Sequence, residues 1–240
     1  MNRRLDTRTL IFILILVYIG PGRALMTGGF SGMMDWFMST LTMLPAIIVG
    51  LSFHEFAHAK VADLCGDPTP RNMGRVTIDP RAHIDPMGLI SLVFIHFGWG
   101  RPVMYNPNNL KNGRTGRILI GAAGVCMNFI VALVFTLILK LIYMASPAFL
   151  MTGFGGVLLN VLIDVIAVNI SLMLFNLLPC PPLDGFGLVC DIFGLYNTKF
   201  YYFVTQYSML LLMALILCNI PSMILSGPMN AIVNWLLSLI

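Results

Sequence analysis

Long apolar runs broken by short polar stretches dominate the chain. They fall at Leu10–Gly20, extended weakly to Met26, then at Leu41–Lys60, Ile118–Tyr143, Gly156–Leu178 and Phe200–Ile220. Each of the last four reaches the ~20 residues that carry a helix across about 30 Å of hydrocarbon. The pattern predicts an all-α polytopic membrane protein of about five to six transmembrane helices. The first run follows Arg3, Arg4 and Arg8, as a signal peptide would. Its apolar character resumes after Gly20-Pro21-Gly22-Arg23, so a retained span is expected.

Two stretches depart from this pattern. Met87–Gly100 is apolar but makes only about 21 Å of helix, too short to cross comfortably. Lys and Arg cluster at 3, 4 and 8, at 60, 71, 75 and 81, and at 101, 111, 114 and 117. The positive-inside rule puts all three clusters, and the N-terminus, on the cytosolic side. Met87–Gly100 lies between two of them and is therefore expected to be re-entrant or interfacial. Arg75-Val76-Thr77-Ile78 alternates polar and apolar residues after Gly74, which predicts a small β-like element. The last run, Asn230–Ile240, is short for a span.

Composition narrows the class. The chain is 58% hydrophobic and 10% charged, against roughly 25% charged in soluble proteins, so its natural surroundings are a lipid bilayer. The net charge of +4 comes without a long basic tract, and no nucleic-acid partner is expected. The five cysteines show no CxxC spacing, which argues against a disulfide framework or a cysteine metal site. With no repeat and no long polar linker, residues 1–240 read as one membrane-embedded domain. Oligomeric state leaves no trace in the sequence.

The chemistry concentrates in His54-Glu55-Phe56-Ala57-His58, at the end of the second run. Residues four apart share a helix face, so both imidazoles can reach one ion, with Glu55 placed to accept a proton from water. Ionisable groups this dense inside a span call for a shared partner, and a divalent cation supplies it. Zinc (Zn2+) normally takes a third protein ligand. Glu55 is the only glutamate, and Leu64 stands where an extended motif would carry a third histidine. His83, His96, Asp79 and Asp85 qualify by residue type. Asp184, in Asn176-Leu177-Leu178-Pro179-Cys180-Pro181-Pro182-Leu183-Asp184-Gly185, is the strongest candidate. If Met87–Gly100 does not cross, Asp184 and His58 lie toward the same side of the membrane.

HEFAH on a membrane helix, followed far downstream by an NxxPxPPLDG-like stretch, resembles the site-2 protease family of intramembrane metalloproteases. Gly66-Asp67-Pro68-Thr69-Pro70, Gly74-Arg75-Val76-Thr77 and His83-Ile84-Asp85-Pro86 resemble its compact bacterial branch, which lacks a PDZ domain. The resemblance covers roughly residues 40–190. It implies zinc held by His54, His58 and Asp184, with Glu55 as catalytic base. Where the family often has AGPxxN, this chain reads Ala123-Gly124-Val125-Cys126-Met127-Asn128. The resemblance implies a place for Asn128 near the active site, and a catalytic role steadying the oxyanion is expected of it. The implied activity is hydrolysis of peptide bonds in membrane-spanning or membrane-associated protein substrates. Gly74, Arg75, Val76 and Thr77 are expected to hold an unwound substrate by strand addition. A rival is a transporter or metal-handling protein using the same ligands, with Asn160, Asp164 and Asn169 as supporting polar groups. The two differ on Glu55, which hydrolysis cannot lose.

Overall fold

The structure is a computed structural model, and it describes residues 15–95 and 98–240. The Arg3–Arg8 cluster and Leu10–Leu14 of the first predicted span lie outside the described residues, as does His96. The first element, α1 (Ile15–Leu64), is 50 residues long, about 75 Å if it were straight and more than twice the hydrocarbon thickness. It is not straight. Gly29 takes φ 62°, a region closed to most L-residues, and the chain folds back there. On either side of the bend Gly32 lies against Ala24 and Gly20 against Trp36, small residues letting two membrane helices approach. The first two predicted spans are thus the arms of one hairpin.

Four short helices and loops follow. They are α2 (Thr69–Asn72), α3 (Pro80–His83), α4 (Pro86–Ile95) and a 3-10 turn at Pro107–Asn109. Then come α5 (Gly113–Ala145), α6 (Pro147–Leu150), α7 (Gly153–Asn176), α8 (Asp184–Phe193), α9 (Lys199–Gln206), α10 (Ser208–Leu217) and α11 (Ile220–Leu237). The long arm of α1 packs with α5 and α7, and Ala46, Val131 and Val165 meet where the three join. A second cluster, with Leu139, Ile166, Ile170 and Leu236 buried in it, seats α11 against α5 and α7.

The chain is an all-α polytopic membrane protein, and its apolar runs need three amendments. Met87–Gly100 goes out and back. Ile84 pairs with Gly100 in an antiparallel bridge, and the Arg101 N–H donates to the His83 carbonyl at 2.7 Å, so both ends of the segment sit side by side. Phe200–Ile220 is not one straight helix but α9 and α10, bent by 65° at Tyr207. The final run joins the residues before it to give the 18-residue α11.

The strand expected at Arg75–Ile78 is not formed, and among the described residues the Ile84–Gly100 bridge is the one β-type pairing. Four alternating residues make a strand only if their main chain is free to pair. Here it is spent locally: Arg75 N–H donates to Pro70, Thr77 N–H to Arg75, and the Thr77 carbonyl accepts from His83 Nε2. Gly74, at φ 68°, turns the chain into that arrangement.

Candidate metal centre

The spacing of His54 and His58 on α1 brings their rings together edge to face, with Nε2 atoms 3.0 Å apart. From 126 positions downstream, Asp184 Oδ2 comes within 3.1 Å of both nitrogens. Asp184 opens α8, but its carboxylate makes no cap there and turns to the imidazoles instead. Among the described residues these three form the one group placed to hold a metal.

The tautomers follow from what lies behind the rings. His54 Nδ1 faces the Asn128 side-chain oxygen at 2.7 Å, and His58 Nδ1 faces the Ile120 carbonyl at 2.6 Å. Both neighbours accept, so both Nδ1 atoms donate, and each neutral ring turns a bare Nε2 lone pair toward the other and toward a carboxylate oxygen. Three acceptors so close repel unless a cation joins them. The edges of 3.0–3.1 Å fit: tetrahedral zinc with bonds of about 2.0–2.1 Å holds its ligand atoms about 3.3 Å apart. Donor set and spacing both suit zinc.

The support for this triangle is buried and helical. Asn128, fully buried, donates through Nδ2 to the Gly50 carbonyl at 3.1 Å and to Asn169 at 2.9 Å, and Asn169 donates on to the Val165 carbonyl. The Asn128 amide is therefore committed on both ends. Gly124 lets α5 come this near: a Cβ there would lie 2.5 Å from His54 Cε1 and closer still to His58 Nε2. The other end of α8 is moored to the first turns of α5. Arg117 donates to Asp191 at 2.6 Å and lies 5.5 Å over the Tyr196 ring, while Arg114 donates to the Asp191 and Ile192 carbonyls. Burial, with the hydrogen bond it gives Asp191, pushes the Tyr196 phenol up, so it stays a donor.

In front of the triangle the chain is irregular. Glu55 accepts a hydrogen bond from the Val103 main-chain N–H at 3.1 Å. The loop carrying Val103 is pinned by buried Asp67, which accepts from Asn106 N–H at 2.6 Å, Asn109 Nδ2 at 2.8 Å and Thr69 Oγ1 at 2.6 Å. Burial alone would raise the Asp67 carboxyl, but these hydrogen bonds outweigh it and hold the group below its usual range.

Of the other candidate ligands, Asp79 caps α3 and pairs with Arg81, Asp85 caps α4 through the N–H groups of Met87 and Gly88, and His83 holds Thr77. Asn169 contributes through Asn128, whereas Asn160 is exposed and Asp164 half-buried on α7. Gly124, Ile120 and Val103 carry no residue-type signal; Gly124 stood in the quoted motif, but its contact with the rings is visible only in three dimensions.

No protein-family model and no solved structure matches the chain. Among curated proteins it is 36% identical over 156 residues to "Putative zinc metalloprotease YwhC" of Bacillus subtilis, a match covering 63% of this chain and 71% of that one. It is 29% identical over 146 residues to "Putative zinc metalloprotease Rip2" of Mycobacterium tuberculosis, covering 58% of this chain and 52% of the relative. A Rip2 of Mycolicibacterium smegmatis is 25% identical over 184 residues, 74% of this chain and 68% of the other.

Proposed function

Because the chain belongs to the site-2 protease family of zinc metalloproteases, we propose that it is a zinc-dependent endopeptidase cutting membrane-spanning or membrane-associated proteins within or beside the bilayer. The observation that carries this reading is the ligand triangle on an apolar helix, with the lone glutamate next to it in sequence. His54, His58 and Asp184 are the residues that would hold zinc. Bound there, the ion supplies Lewis acidity toward a peptide carbonyl and lowers the pKa of water. Glu55 takes the proton from the attacking water and returns it to the leaving amine. Asn128 acts by orienting His54 rather than by touching the oxyanion, since its amide is already fully engaged.

His58 and the loops before α5 lie beside the second and third Lys and Arg clusters, at 60–81 and 101–117, which the positive-inside rule assigns to the cytosol. Substrate is held at Gly74, Arg75, Val76 and Thr77 by the open main chain of a turn rather than by a formed strand. The Val76 peptide is the piece of that turn whose main chain carries no hydrogen bond among the described residues. Substitution of Val76 by proline is expected to raise KM while sparing zinc content, and an unchanged KM removes this contact.

The test of the function is cleavage of membrane peptides by purified protein, wild type against Glu55→Gln. Retained zinc with cleavage lost, down at least about 10²-fold, is the expected result. A Glu55→Gln protein that still cleaves overturns Glu55 as the base, whereas a wild type that cleaves nothing but moves metal across the membrane supports the transporter reading.

A further inference from the structure

The Val103 contact to Glu55 is the one hydrogen bond on this carboxylate among the described residues, and it comes from the main chain. The segment that supplies it, residues 100–105, has no regular structure yet is fastened at both ends. At its start Gly100 pairs with Ile84 and Arg101 N–H bonds the His83 carbonyl at 2.7 Å. Just past its end, Asp67 takes the Asn106 N–H. His83 is itself fixed, fully buried with Nε2 2.7 Å from the Thr77 carbonyl, and the Arg75 guanidinium bonds the neighbouring Ala82 carbonyl. Pro102 stiffens the middle: its ring fixes its own φ and keeps Arg101 extended. In an extended chain the N–H groups two residues apart face the same side, and those on Arg101 and Val103 both point inward, one to His83 and one to Glu55. Gly100 lets the strap lie this low, since a Cβ there would stand 3.1 Å from the His83 carbonyl oxygen and 3.8 Å from Glu55 Oε1.

A glutamate has three side-chain torsions to order, and a base that abstracts a proton must sit within hydrogen-bond reach of it. Fixing Oε2 from a pinned main-chain donor removes most of that freedom and leaves Oε1 for the proton. We propose that the strap formed by residues 100–105 is the positioning device of the general base: the Val103 N–H holds Glu55, and His83 holds the strap. This rests on the protease reading of the same site. His83 and Val103 act through Glu55 and are positioning residues.

The direct test replaces Val103 by its α-hydroxy acid, turning one amide into an ester: the N–H gives way to an oxygen, and the Pro102 carbonyl, which accepts no main-chain hydrogen bond among the described residues, becomes a weaker acceptor. The expected outcome is a kcat lower by roughly 10–100-fold with KM and zinc content unchanged. The thermal midpoint in detergent should drop in the ester protein, and that drop should vanish in a Glu55→Ala background. Unchanged kcat, a loss carried by KM, or an equal drop in both backgrounds overturns the proposal. A second pair tests the anchor: His83→Gln, which keeps a donor for Thr77, should retain more kcat than His83→Leu at equal zinc content. Equal losses overturn His83's part. If the wild type cleaves no peptide, the protease reading fails, while the stability cycle still decides whether Val103 holds Glu55.

Discussion

Behind the ligand triangle, contacts run from one membrane helix to another; in front of it, they run through loops. The back is α1, α5, α7 and α8, joined by the buried relay Val165–Asn169–Asn128–His54 and by the close approach at Gly124. The front is residues 65–112, where Asp67 and His83 pin a strap whose Val103 N–H bonds Glu55. On the proposed reading, the back sets the metal ligands, while the front sets only the placement of Glu55, which itself rides on α1 beside them. Damage to the back should cost zinc and with it activity. Damage to the front should cost turnover and leave zinc in place.

The largest effect is expected at the back. Gly124→Leu drives a side chain into both imidazoles. Zinc should fall to background and cleavage should disappear, read by metal analysis of protein that still elutes as a single species. If that protein keeps its zinc, the close approach of α5 is not what the structure says it is. Next in size is Asn128→Ala, which leaves the His54 Nδ1–H without its acceptor. Loss of such an outer partner typically weakens metal affinity 10–100-fold, to be measured by competition with a chelator.

The front gives smaller effects of a different kind. Asp67→Ala removes the acceptor for the Asn106, Asn109 and Thr69 donors, at a cost of about 1–3 kcal/mol in stability. Turnover should fall while zinc stays bound. Asp67 also makes a pH prediction. Its folded-state pKa is depressed, so its stabilisation is complete above the ordinary aspartate value near ~3.9 and is lost as pH falls through the lower folded value. Acid melts of wild type and Asp67→Asn should therefore converge at low pH. Curves that stay parallel contradict the assignment. The smallest effect belongs to neither side: Leu210→Ala on the outer face of α10 should change stability by less than about 0.5 kcal/mol and leave zinc and cleavage alone.

How legible each side was in the sequence follows the same division. The back announced itself because its chemistry obeys helix arithmetic. His54 and His58 are four apart, and Asp184 reaches them because Met87–Gly100 turns back on itself. The front did not. Val103 acts through a main-chain N–H that every residue except proline possesses, so its identity signals nothing. Arg75–Ile78 alternates like a strand, but four residues cannot show whether their main chain is already bonded, and here the Arg75 and Thr77 N–H groups and the Thr77 carbonyl are. The two runs joined in α1 were legible as apolar spans, but not that they close into one hairpin. Apolar runs report what can enter a bilayer, whereas the fold at Gly29 depends on a torsion and on Gly32 meeting Ala24. Asn128 was expected at the site from its motif, but only the geometry shows that its amide is committed to His54, Gly50 and Asn169.

The central claim is that His54, His58 and Asp184 form one zinc site. Its most direct test is the zinc content of purified protein, wild type beside Asp184→Ala and Glu55→Gln. One zinc per chain in the wild type and in Glu55→Gln, with loss in Asp184→Ala, is the result the geometry predicts. Full zinc in Asp184→Ala, or none in the wild type, would contradict it.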